Sequence, residues 1–84
     1  MLRCYITFQS VTAAQRGFEV LSRSGLSARL TRAPRMLHNK GCAYALIVAP
    51  ERASSAVQKL KTAGIRYLSV FKVFPNGTFE EMRL

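Results

Sequence analysis

Leu21-Ser-Arg-Ser-Gly25-Leu26 and Leu60-Lys-Thr-Ala-Gly64-Ile65 are two versions of one pattern, and they decide how the chain is read. In each, a leucine ends an amphipathic run, a glycine stands at the stop, and an aliphatic residue carries the chain on. Glycine enters the left-handed conformation that closes a helix without the steric penalty of a β-carbon. Working outward at the same offset, Ala14 matches Ala53, Tyr5 matches Tyr44, and Phe8 matches Ile47. The chain is a tandem β-α-β repeat.

The elements follow from the periodicity on either side of these stops. Residues 2–8 alternate, with Leu2, Cys4, Ile6 and Phe8 on one side and Arg3, Tyr5 and Thr7 on the other, which predicts a strand. Ala14, Gly17, Phe18 and Leu21 recur at helical spacing, and Thr12 with Gln15 has the spacing of a capping box. Residues 26–32 read as a second strand. Ala33 to Gly41 reads as a loop, interrupted by Pro34. Cys42 to Val48 is a third strand, apolar enough to be central. Pro50 and Glu51 suit a first helical turn, with Ala53, Ala56, Val57 and Leu60 as the buried stripe behind them. Residues 65–74 form a fourth strand. Pro75-Asn76-Gly77 is a turn signal, after which the chain reads as a short edge strand or a tail.

Right-handed crossovers interleave two such units in one sheet. The expected fold is α+β, a ferredoxin-like βαββαβ two-layer sandwich. Both helices lie on one face of an antiparallel sheet, with the first and third strands parallel in the middle. Residues 1–84 are read as a single domain with its core in 2–74. At 84 residues the chain suffices for one hydrophobic core and not for two.

Thirteen Lys and Arg against four acids give a formal charge of +9. The excess is uneven: no acid lies between Val20 and Pro50, where Arg23, Arg29, Arg32, Arg35 and Lys40 fall. Such a field attracts nucleic acid, small anions or acidic proteins. No apolar stretch approaches the roughly 20 residues of a membrane span, and the first residues lack the pattern of a signal peptide. No membrane partner is expected, and a reduced, cytoplasmic setting is.

Repeat matching pairs Cys4 with Ala43, so both are expected to face the helices. Cys42 and Tyr44 are then expected on the open face, beside Tyr5. Diverging Cβ directions disfavour a Cys4–Cys42 disulfide. Cys4 reads as a small buried hydrophobe. Cys42 closes a loop carrying Arg35, His38, Lys40 and Gly41, and nearby cations lower a thiol's pKa and raise its thiolate fraction. His38 could pair with that thiol, although no acid stands near it in sequence. Two cysteines and one histidine do not make a four-ligand metal site. No phosphate-binding glycine motif is present, and no cofactor is expected.

The residues also resemble a family of short bacterial and archaeal selenium/sulfur carrier-like proteins, formerly a domain of unknown function. The likeness covers roughly residues 4–73. It rests on Tyr5-Ile-Thr-Phe8, the helix ending at Leu21 and Gly25, Ala33-Pro34-Arg35 at the head of the loop, Cys42 leading into an apolar strand, and Leu60 with Ala63-Gly64-Ile65. The resemblance implies that Cys42 is the carrier residue. In that family a glycine usually follows the cysteine; here Ala43 follows and Gly41 precedes.

Three function classes stay open. One is a non-enzymatic sulfur or selenium carrier or accessory protein, with Cys42 as carrier thiol, Arg35, His38, Lys40 and Gly41 around it, and a sulfur- or selenium-metabolism protein as partner. Another is an RNA-binding module in which Tyr5 and Tyr44 stack bases and Arg29, Arg32, Arg35 and Lys40 meet phosphates; Lys40 to Ile47 loosely resembles the third strand of RNA-recognition motifs. The last is a self-association module, a homodimer through the open sheet face.

Overall fold

The computed structural model describes residues 2–35, 37, 41 and 43–84. Its elements are β1 (Arg3–Phe8), α1 (Val11–Arg23), β2 (Arg29–Arg32), β3 (Tyr44–Val48), a 3-10 turn (Pro50–Arg52) running into α2 (Ala53–Thr62), β4 (Ser69–Val73) and β5 (Phe79–Met82). One five-stranded sheet has the order β2-β3-β1-β4-β5, and every neighbouring pair is antiparallel. The fold is α+β, a ferredoxin-like two-layer sandwich with a fifth strand added outside β4.

The two helix stops form as the repeat implies, with identical bonding. Leu26 N donates to Leu21 O and Gly25 N to Ser22 O; Ile65 N donates to Leu60 O and Gly64 N to Lys61 O. Gly25 and Gly64 have φ of 76° and 73°. This is the Schellman arrangement, which satisfies carbonyls left over at a helix end. It also explains why β2 and β4 start later than the apolar pattern implies. Leu26 and Ile65 spend their amides on the helices and cannot begin a ladder.

Other expectations need correction. The first and third strands are not parallel: β1 and β3 pair antiparallel, Cys4 opposite Val48 through Phe8 opposite Tyr44. A β-α-β crossover makes its own two strands parallel, and here β3 is inserted between β1 and β2. The cap of α1 is not Thr12 but Ser10, whose extended backbone lets its hydroxyl accept from Ala13 N at 3.2 Å. Phe18 is exposed, because Ala14, Gly17 and Leu21 take the contact with the sheet. On α2 the buried stripe is Ala53, Ala56, Val57 and Leu60, as the spacing implies. β5 forms beyond the Pro75-Asn76-Gly77 turn, where Thr78 Oγ1 donates to Asn76 Oδ1 at 2.7 Å.

The core between helices and sheet contains Cys4, Ile6 and Phe8 of β1, Leu46 and Val48 of β3, and Val70 of β4, with Tyr44 and Leu30 packed against it. A second, smaller cluster lies on the other side of the sheet. It joins Phe71 to Ala33 and Leu37, flanked by Val73 and Phe79. Phe71 and Phe79 meet edge to face, with centroids 5.6 Å apart.

Candidate functional site

The stretch between β2 and β3 is held at both ends. Ala33 N donates to Ala43 O at 3.0 Å, and Ala43 N donates to Phe8 O at 3.0 Å. Leu37 N reaches back to Pro34 O at 2.9 Å, and its side chain is wholly buried in the cluster around Phe71. The segment after β2 thus crosses the sheet face opposite the helices and inserts one leucine into it. Gly41 is exposed, with φ of 81°. Arg35 is exposed on the same segment. Cys42, His38 and Lys40 lie outside the described residues.

Cys4 is where its alternation puts it. The side chain is fully buried, its Sγ donates to Met82 Sδ at 3.8 Å, and it is a free thiol. Burial pushes its pKa up; Lys72 counters this and Glu51 adds to it. It is a protonated, unreactive sulfur in the core, like other structural cysteines.

Tyr44 is not where repeat matching puts it. It lies opposite Phe8 and packs on the helix side, whereas Tyr5 lies opposite Ile47 and Phe71 on the other face. The helices of the two halves match at one offset, and the strands match one residue further on: Cys4, Ile6 and Phe8 correspond to Tyr44, Leu46 and Val48. A one-residue slip sends every side chain of a strand to the opposite face. Ala43, matched with Cys4, is half-buried and outside the helix-side cluster. The same alternation divides the basic patch. Arg29 stands opposite Ile47, on the face of Tyr5, and Arg32 stands opposite Tyr44, on the helix side. Tyr5 and Tyr44 therefore do not form a two-tyrosine platform, and the face away from the helices is covered in part by Ala33 and Leu37.

Leu37, Phe71 and Phe79 were not singled out by the sequence. The available signal was the apolar pair Met36-Leu37 in a loop otherwise carrying Arg35, His38, Asn39 and Lys40. Among the described residues no group of three or more His, Cys, Asp or Glu could hold a metal ion, and no helix is long and apolar enough to cross a membrane.

Fold and charge together define a small basic α+β protein with Cys4 sealed in its core. The model of the family described as "Putative Se/S carrier protein-like" matches residues 3–72, and the chain belongs to that family. No curated protein and no solved structure matches the chain.

Proposed function

We propose that this protein is a non-enzymatic carrier or accessory protein of sulfur or selenium metabolism, acting in the cytoplasm and loaded on Cys42. The observation that carries the reading is family membership over a span that includes Cys42. Two features support it. Of the two thiols, Cys4 is buried with its pKa raised, which leaves Cys42 as the sulfur suited to exchange. The described residues around it, Ala33, Leu37 and Ala43, are tied to the sheet by hydrogen bonds and packing.

The chemistry is thiol exchange. The Cys42 thiolate attacks the outer chalcogen of a donor persulfide or its selenium counterpart. A bond from Cys42 to that atom forms, the donor's own bond to it breaks, and the donor leaves as a thiolate. No external oxidant is required. Arg35 and Lys40 from the same loop supply positive charge that favours the thiolate, and His38 is a weaker candidate for assisting.

The test is sulfur loading from a persulfide donor, read by intact mass, on wild type, Cys42→Ser and Cys4→Ala. The expected result is gain of one sulfur by wild type and Cys4→Ala and none by Cys42→Ser. Loading of Cys42→Ser to the wild-type level, or no loading of wild type, overturns the reading.

A further inference from the structure

β1 and β2 begin, and β3 finishes, at the same end of the sheet. A groove of about 600 Å³ opens there, at the far end of β3 from the Cys42 loop. Its apolar lining includes Leu2, Ile47 and Pro50, each half-buried; its charged lining is Arg3, Arg29 and Glu51, each exposed. The volume falls within the range of small-molecule sites, and an apolar floor with a few convergent polar groups is their usual composition.

The placement of the two arginines follows from register. Arg29 is opposite Ile47, and Ile47 is opposite Tyr5, so Arg29 and Tyr5 flank the Ile47 side chain on the face away from the helices. Arg3 lies two residues before Tyr5 and projects to that same face, while Cys4 between them is buried under the helices. Two strands separated by a third are about 9–10 Å apart, and Arg3 stands two residues along from the level of Arg29, a diagonal of about 12 Å that two long arginine side chains close from opposite sides. Two guanidinium groups against one carboxylate leave one net positive charge in the groove. Guanidinium forks bind carboxylate and phosphate oxygens in pairs.

We propose that this groove is a binding site for a small organic anion, in which a carboxylate or phosphate is held by Arg3 and Arg29 and a short apolar body lies on Leu2, Ile47 and Pro50. Among the described residues the lining includes none from 33–43, and the occupancy of the site does not depend on the carrier chemistry.

The experiment uses the full chain and amide NMR titration with three probes: phenyl phosphate, benzoate and the uncharged benzyl alcohol. Saturable shifts centred on Ala28, Ile47 and Ala49 with either anion, absent with benzyl alcohol, are expected. The probe that binds more tightly identifies the headgroup. The Arg3→Gln/Arg29→Gln double variant, changed only at exposed side chains, is expected to weaken binding by tenfold or more while the other amides keep their positions. The proposal is overturned if shifts spread evenly over the basic surface, if benzyl alcohol binds as well as the anions, or if the double variant binds unchanged. Binding of a single-stranded oligonucleotide but of neither small anion also overturns it.

Discussion

Replacing Gly17 with alanine tests how α1 is seated. Gly17 is buried in the middle of α1, where the helix crosses the sheet. A β-carbon built there would stand 3.1 Å from Phe8 Cζ, 3.2 Å from Leu46 Cδ1 and 3.3 Å from Leu60 Cδ2. Ordinary carbon contacts lie at about 3.5–4.0 Å. The three neighbours come from β1, β3 and α2, and all are fully buried, so none can turn away freely. Two effects oppose each other. Alanine is better than glycine inside a helix by about 0.8–1.0 kcal/mol. Overpacking a tight core costs about 1–3 kcal/mol. With three simultaneous close contacts the second effect is expected to win, leaving Gly17→Ala destabilised by about 1 kcal/mol. The assay is equilibrium urea unfolding followed by far-UV circular dichroism, with an unchanged slope and a lowered midpoint. Adding Phe8→Leu, which removes the atom nearest to the new methyl, should cost less in the Gly17→Ala background than alone, with a coupling of at least about 0.5 kcal/mol. A midpoint equal to or above that of the wild type would refute the close-approach argument, because the helix would then have gained alanine's propensity at no packing cost.

Two further outcomes are expected. Leu37→Ala removes the fully buried side chain over Phe71 and should cost about 2–4 kcal/mol in the same assay, with faster amide exchange at Ala33 and Ala43; a loss below about 1 kcal/mol would mean that Leu37 does not hold the segment to the sheet. Cys4 titrates higher when folded than its unfolded value of 9.0. Above that value the unfolded chain loses the proton that the native state keeps, so stability falls as pH rises through the window above 9.0. The wild type should therefore lose stability more steeply than Cys4→Ala across that alkaline window, and equal slopes would show that the thiol is not held protonated by burial.

The parts of the fold legible in the residues are those set by local chemistry. The stops at Gly25 and Gly64 depend on bonds that span five residues of one chain segment, so the same letters give the same geometry twice. The stripe Ala53, Ala56, Val57 and Leu60 needs only helical periodicity and a surface to face. Alternation in β1 was likewise enough to put Cys4 in the core.

What the sequence determined by itself was thus the tandem repeat, its helices with their ends, and the inward sulfur. Three features were decided only by tertiary structure. The facing of Tyr44 depends on its register against Phe8, and the shift by one residue between strand and helix of the second half is invisible to a matching carried by the helix stops. The covering of the outer face depends on Leu37 meeting Phe71, residues far apart in the chain with no shared period. The groove at the sheet end exists because three strand ends converge on Ile47 and bring Arg3 and Arg29 to it. Caps and stripes are short-range and repeat wherever their residues do; strand facing and surface cover are fixed by partners across the sheet, and a slip of one residue reverses them.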